Sequence, residues 1–551
     1  MQPRTADVAA PPRQGGNNEW ELPLHLKELP TTINIKRLSS LPTRHQETAD
    51  AWRQSRPWLD DPSRYDKVVR RTAGEVPCAS FSKAQLDEIA SFGVIEPIRA
   101  ADVRGAMRVF GVPEIAKERQ RVIMHTVDVN DATTKEMLRK CTFPSKHEIC
   151  QLVHSGDGAI ALDFRSYYYQ FKYDRRISPL LCTMSPDGRF FQQRRLSMGQ
   201  RASCEVADAA TAMMMDSPGR TSTARSVIDN AIFVGSRDEV VRDARNFINR
   251  AHSVGATFNE ATDDVAALFT NRMEWCGVDL DFVAKSACLT EKTVRKTVDS
   301  WAGRKRWTWR TFAAHVGLLF WAVGIIDVPM HRMFPVLSFV SHVGRMMQEA
   351  GDALWDEPAY VWKSVWPALE RWTDLVLRNE RKRVPPPGAP EWIVCTDASG
   401  WGWGYVAQNL TSGETRTFGA RWSYAMRSIH GAKLGQSVYA EPLAITNSLC
   451  HLFSSTNVPG RVLVGTDNTA ARASFARGWN ARSYAINSSL ARFRDRFPGV
   501  VAEFVHVPGA TNPADPFSRG RSAAADESGR VLRRNLGYDE APATGAPFIA
   551  Q

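Results

Sequence analysis

Several features that would fix a class at once are missing from this sequence. No C-x-x-C pair occurs. The nine cysteines (Cys78, Cys141, Cys150, Cys182, Cys204, Cys276, Cys288, Cys395 and Cys450) are scattered and odd in number. That pattern excludes a zinc module and a secreted disulfide framework, and it fits a reducing compartment. No stretch reaches about 18 uninterrupted apolar residues, so no membrane-spanning helix and no membrane partner are expected. The longest apolar candidate, Phe312 to Ile326, contains His315 and reads as a buried helix. An apolar signal-peptide core is also missing, which makes the expected location intracellular, cytoplasmic or nuclear. No internal repeat is evident.

What is present is ordinary in bulk and distinctive in detail. Of the 551 residues, 43% are hydrophobic and 23% charged, which excludes a mainly disordered, collagen-like or coiled-coil chain. The length predicts about three or four domains. Lys and Arg number 70 against 59 Asp and Glu, a net charge of +11. A surplus of that size favours polyanionic partners, nucleic acid before acidic membrane.

Residues 1–80 read as an N-terminal extension, partly disordered, with a Pro- and Gly-rich leader over 1–20. From about residue 85 helical and strand-like patterns alternate, which predicts α/β or α+β architecture. Three consecutive prolines, Pro385 to Pro387, favour an extended spacer, and 385–390 is expected to be a linker at a domain boundary. The tail, 522–551, is expected to be loosely ordered.

Two acids stand out before that linker. The run Gly158 to Phe164 reads as a buried strand delivering Asp163 at its end. In Ser226 to Val234 an acid, Asp229, interrupts an apolar run, as at the turn of a hairpin. Such acids are costly to bury unless compensated. Two brought together would repel unless a divalent cation sat between them, as in a two-metal phosphoryl-transfer site. Two unrelated hairpin or capping aspartates are the other reading.

After the linker come four more acids. Asp397 lies in a strand followed by the glycine-rich turn Gly400 to Gly404. Glu441 lies near a helix start, Asp467 at a strand end, and Asp515 after Asn512-Pro513-Ala514. Four carboxylates at strand ends and helix starts would again hold two Mg²⁺ ions and activate water against a phosphodiester. Between the two groups, Arg295, Lys296, Arg304, Lys305, Arg306 and Arg310 alternate with Trp301, Trp307 and Trp309. Cations neutralise phosphates and aromatic planes stack on bases. An amphipathic helix with its tryptophans in the core is the alternative.

The ordered wording of these segments resembles retroelement reverse transcriptases. Leu162-Asp163-Phe164-Arg165-Ser166-Tyr167-Tyr168 is similar to their first palm motif, and Leu196-Ser197-Met198-Gly199-Gln200 to the "LPFGL" segment. Val227-Ile228-Asp229-Asn230 stands where the family has Y-x-D-D, and Trp275-Cys276-Gly277 resembles the primer-grip turn. Lys117 to Ile123 and Asp128-Val129-Asn130 look like the fingers segment. Residues 391–521 resemble ribonuclease H, with the segment His506 to Arg519 matching its last motif in full. The wording is closest to LTR and DIRS-type tyrosine-recombinase elements.

The resemblance implies an α+β right-hand polymerase, with fingers and palm over 81–290 and thumb and connection over 291–384. An RNase H-like α/β domain would follow the linker. It implies RNA-directed DNA polymerase and ribonuclease H activity, with RNA template, DNA primer, RNA–DNA hybrid and dNTPs as partners. Mg²⁺, with Mn²⁺ as an alternative, would be the cofactor at two ions per site. Asp163 and Asp229 would be catalytic metal ligands in the first site, and Asp397, Glu441, Asp467 and Asp515 in the second. Lys117, Arg121, Tyr168 and Asn230 would bind dNTP, Tyr168 as the gate against a 2′-hydroxyl. Arg295, Lys296, Arg304, Lys305, Arg306 and Arg310 would track nucleic acid, and His506 would shape the RNase H loop. Two departures mark the chain: Asn230 replaces the second acid, and no lysine follows Gly255 to Glu260. They leave open a non-catalytic RNA-binding scaffold, or an inactive polymerase with a live nuclease. The sequence gives no oligomeric state.

Overall fold

The computed structural model describes residues 22–538, apart from 27, 29, 115 and 116. The expected leader over 1–20 and the last part of the tail lie outside the described residues. The fold mixes helices and sheets in two compact units. The first runs to Cys276 and includes Leu280–Lys285; the second holds Gly277–Asp279 and everything from Ser286 on.

The first unit holds three small sheets. β1 (Ile95–Ile98), β5 (Cys182–Met184) and β6 (Phe190–Gln193) form one, in the order β1-β6-β5. β2 (Arg108–Glu114) and β3 (Arg119–His125) form an antiparallel hairpin. β4 (Gly158–Asp163), β7 (Thr223–Val227) and β8 (Asn230–Gly235) form the third, in the order β4-β8-β7. Helices Ser203–Met215 and Arg237–Ser253 pack on it with Val206, Ala210, Ala244 and Phe247 fully buried.

Residues 22–80, expected to be an extension, belong to this core. Leu24, Leu26, Trp52, Trp58 and Tyr65 are buried in the same cluster as Ile160, Leu162 and Phe164. The Ile33 N–H donates to the Gln170 carbonyl at 2.8 Å and the Asn34 N–H to the Val254 carbonyl at 2.7 Å. Trp52 is carried by helix Gln46–Ser55 and Trp58 by helix Pro57–Asp60, whereas Leu24 and Leu26 lie outside any helix or named strand and are placed by tertiary docking.

The chain continues as β9 (Arg272–Trp275), β10 (Val278–Asp281) and β11 (Ser286–Leu289), the last paired antiparallel with β12 (Lys382–Arg383). Between β11 and β12, helices Glu291–Ala302, Trp309–Ala322, Phe334–Ala350 and Trp366–Arg378 enclose an aromatic core. There His315 is fully buried, 3.1 Å from the Thr373 hydroxyl, and Trp301 and Trp307 pack on its ring. Burial lowers its pKa to about 4. Residues 385–390 carry no helix or strand, and Arg461 donates to the Pro386 carbonyl at 2.6 Å.

The C-terminal half of the second unit is a five-stranded mixed sheet in the order β15-β14-β13-β16-β17. Its strands are β13 (Trp392–Ala398), β14 (Gly402–Asn409), β15 (Thr415–Arg421), β16 (Arg461–Thr466) and β17 (Val501–His506). β13, β14 and β15 pair antiparallel, whereas β16 lies parallel to β13 and β17. β13 is therefore central and buried on both faces, which accounts for its near-continuous apolar run. Within the described part of the expected tail, helix Ala525–Asn535 packs on this sheet, with Leu532 buried against Ile393, Cys395 and Val406. No helix among the described residues is long and apolar enough to cross a membrane.

Candidate active sites

In the first unit, β4 and β8 bring the two sequence-predicted aspartates together. Asp163 ends β4 and pairs with Asn230, the first residue of β8. Val227 pairs with the same Asn230, so Ile228 and Asp229 form a two-residue hairpin turn. Such a turn needs positive φ, and Ile228 adopts φ +57°. A β-branched residue is strained there by about 1–3 kcal/mol. Thr211 holds the turn by donating to the Ile228 carbonyl at 2.6 Å, and the Phe164 N–H donates to the Asp229 carbonyl at 3.1 Å.

The electrostatics match that proximity. Burial first, then the Asp229 charge, pushes the Asp163 carboxyl up to about 6. Burial raises Asp229 as well, opposed in part by a hydrogen bond from Asn230 and by the Arg121 guanidinium. Asp163 Oδ1 is buried without a hydrogen-bond partner, while Asn259 donates to Oδ2 at 2.7 Å. An orphaned anionic oxygen beside a second acid is the donor chemistry that suits a hard cation.

Two neighbours were missed in the sequence. Glu260 accepts the Asp163 N–H at 2.9 Å, and the Cys276 thiol, pushed up to about 12 by burial, feels both acids. Both lie in segments noted above, Cys276 in the turn likened to the primer grip and Glu260 at the end of Gly255 to Glu260, but neither was expected to touch the acids. Of the three tyrosines, Tyr167 and Tyr169 are buried in the core, and only Tyr168 is half-exposed. Its hydroxyl lies 3.5 Å from Cys204 Sγ, and its pKa is raised by burial first and also by Asp229. Lys117 is exposed and its charge reaches Asp163. Arg121 is tied to Glu114 at 2.5 Å.

In the second unit, Asp397 on β13, Glu441 on helix Ser437–Ser454 and Asp467 after β16 converge. One carboxylate oxygen from each lies within 4.8 Å of the others. Asp397 and Glu441 are 4% and 2% exposed, so little water screens their repulsion. Burial first, then Asp397 and Asp467, pushes Glu441 up to about 9. Burial first, then its acidic neighbours against the Ser518 hydrogen bond, pushes Asp397 up to about 6. Asp467 is also raised by burial, and its main opposing side chain is His506, which is exposed at the end of β17.

Asp515 stands apart from that triad. Its charge reaches Asp397 and Asp467, but its carboxylate is paired with Arg519 at 2.8 Å. The motif around it does a second job the sequence reading missed. Ser518 donates to Asp397 Oδ2, and Asn512 donates to Asp397 Oδ1 at 3.4 Å. The helix that carries Ser518, Asp515–Ser518, sits against β14 and β15 on a floor of glycines, and Asn512 lies in the loop before it. A Cβ on Gly419 would lie 2.3 Å from the Phe517 carbonyl, and one on Gly404 2.7 Å from the Ser518 nitrogen. Gly509 is needed for the same reason, since its Cβ would meet Asp467 Oδ2 at 2.8 Å.

The basic middle divides. Trp307 and Trp309 are buried, so the expected stacking on bases is corrected for both: they are core residues. Arg304 lies 4.6 Å over the half-buried Trp301 ring. Arg295 pairs with Glu291 and Arg310 with Asp356. Lys296, Lys305 and Arg306 are exposed.

No family model and no curated protein matches the chain. Among solved structures, a foamy viral protease-reverse transcriptase dRH in complex with double-stranded DNA is similar over 88% of this chain and 84% of that one, at TM-score 0.44 and 11% identity. A foamy viral protease-reverse transcriptase with an RNA/DNA hybrid is similar over 87% and 64%, at TM-score 0.45 and 10% identity. A third, with double-stranded DNA, is similar over 87% and 98%, at TM-score 0.43 and 11% identity.

Proposed function

We propose that the chain is an RNA-directed DNA polymerase with ribonuclease H activity, of retroelement type. The observation that carries the reading is the convergence of Asp397, Glu441 and Asp467, three acids from distant parts of the sequence, within 4.8 Å where a helix meets one mixed sheet. A scaffold has no use for three repelling carboxylates, two of them buried. A cation-dependent phosphodiesterase does. The pairing of Asp163 with Asp229 supplies a second, independent acidic centre for phosphoryl transfer.

Mg²⁺ or Mn²⁺ would be held by Asp163 and Asp229 in one centre and by Asp397, Glu441, Asp467 and Asp515 in the other, where it supplies Lewis acidity and charge neutralisation. The protein's own contribution is orientation. Asn259 fixes Asp163 so that Oδ1 stays available. Ser518 and Asn512 fix Asp397 in the same way. Lys117 and Arg121 bring positive charge toward the acids, as a triphosphate requires. Tyr168 offers the aromatic face that excludes a 2′-hydroxyl. Lys296, Lys305 and Arg306 are available to duplex phosphates. On this reading 81–290 are fingers and palm, 291–384 thumb and connection, and 391–521 the nuclease domain.

One observation favours a narrower reading. Asn230 hydrogen-bonds to the Asp229 carboxylate, so the turn carries one acid where the family carries two. A nuclease with a silent polymerase fits that arrangement. Incorporation of dNTPs on an RNA template with a DNA primer, beside an Asp163→Asn control, separates the two. Incorporation lost in the control supports the full reading. None in either, with hybrid cleavage lost in Asp467→Asn, leaves the nuclease alone. Neither activity refutes both.

A further inference from the structure

Between β15 and the helix that carries Glu441, residues 423–436 form an insert of helix Tyr424–His430 and a following 3₁₀ turn. Its ends are tied beside the carboxylates. At the start, the Trp422 indole donates to the Ser399 carbonyl at 2.9 Å, two residues beyond Asp397. At the end, Ser437 opens the Glu441 helix. Leu434 and Met426 pack with Trp422, Ala398 and Ala440 and seat the insert on that edge of the site.

Its outer side has no structural role. Helix Tyr424–His430 buries none of its residues; Tyr424 is 80% and Ile429 73% exposed. The insert contains Arg427, His430 and Lys433 and no acidic residue. Arg427 and Lys433 are exposed, and neither makes an ion pair among the described residues. His430 lies 2.9 Å from the Tyr439 hydroxyl, and the Lys433 ammonium sits 5.7 Å from the Tyr439 ring, two residues before Glu441.

A polyanion approaching the acidic cluster is repelled unless cations meet it at the entrance. Arg519 is already engaged by Asp515. We propose that the insert is the grip that meets it: Arg427 and Lys433 contact consecutive phosphates of a nucleic-acid duplex, and Tyr424 lies against its sugar edge. The identification of that duplex as an RNA–DNA hybrid rests on the nuclease reading above.

The test uses the full chain and a short RNA–DNA hybrid. Arg427→Gln/Lys433→Gln is compared with Lys36→Ala/Arg37→Ala, which removes two exposed charges from the first unit. Loss of two phosphate contacts should make the dependence of log Kd on log salt shallower by about 2 units, measured without divalent cation. With Mg²⁺, KM for hybrid cleavage should rise about tenfold, with kcat unchanged. Slope and KM equal to those of the control overturn the proposal. So does a fall in kcat at constant KM, which would make the insert a support for the acids. If the unaltered chain cleaves no more than Asp467→Asn, the nuclease reading fails, and the salt slope alone decides whether the insert grips a duplex.

Discussion

Glu441 is buried beside two other carboxylates, and removing its charge should stabilise the cation-free protein. The change to make is Glu441→Gln, which keeps the side chain's shape and an oxygen to accept the Ala398 N–H. In the unfolded chain the carboxyl ionises near its ordinary value of 4.5; in the fold it is pushed up to about 9. A carboxyl with a raised folded pKa binds its proton more readily in the native state. Its contribution to stability is therefore full below pH 4.5 and is lost as the pH rises toward 9. At pH 8 the upper limit is on the order of 5 kcal/mol, from about 3.5 units at 1.36 kcal/mol each. Part of that is repulsion shared with Asp397 and Asp467, so a gain on the order of 2–3 kcal/mol is expected for the variant. Scanning calorimetry in EDTA at pH 8 should show the transition of the second unit about 5–8 °C higher than in the unaltered protein. At pH 5 the difference should nearly vanish. Adding Mg²⁺ at pH 8 should raise the melting point of the unaltered protein more than that of the variant, and hybrid cleavage should be absent from the variant. A variant that melts at or below the unaltered protein at pH 8 in EDTA would refute the argument from electrostatic strain.

Asp163→Asn should abolish dNTP incorporation by at least about 100-fold while leaving hybrid cleavage within about twofold, measured on one preparation. Mn²⁺ binding at Asp163 should weaken about tenfold per pH unit below 6, because the proton bound there with a pKa of about 6 competes with the ion; paramagnetic titration between pH 5 and 7 checks it. Tyr168→Ala should raise the ratio of rNTP to dNTP incorporation about tenfold or more; an unchanged ratio would return Tyr168 to a packing role. Gly509→Ala should lower hybrid cleavage about tenfold at unchanged melting temperature, since its Cβ would press on Asp467 Oδ2.

Much of both centres was legible in the sequence because each acid sits where an apolar run breaks. Asp163 ends a buried strand, Asp229 occupies a hairpin turn, and Asp397 and Asp467 close strands of one sheet. What was not legible depends on docking rather than pattern. Leu24 and Tyr65 lie outside any long helix or strand, yet they help fill the first core. Leu532 is the one buried apolar side chain of a helix otherwise rich in charge, so the tail read as loose. Trp307 and Trp309 alternate with cations in the sequence, but the intervening turn at Arg304–Arg306 sends the rings inward and leaves Lys305 and Arg306 outside. Asn512 and Ser518 were visible as motif letters. Their bonds to Asp397, more than a hundred residues earlier, exist only once the sheet is built.

That last arrangement sets an order of events during synthesis. The first carboxylate of the second acidic centre, Asp397, receives its two side-chain donors from Asn512 and Ser518. While a ribosome still holds the segment after β17, the nascent chain already contains Asp397, Glu441 and Asp467. It lacks the helix that closes over Gly404 and Gly419. A chain stalled before Ser518 would carry the acids without the hydroxyl that aims one of them. The acidic centre of the second unit is therefore completed only after all five strands of its sheet have emerged.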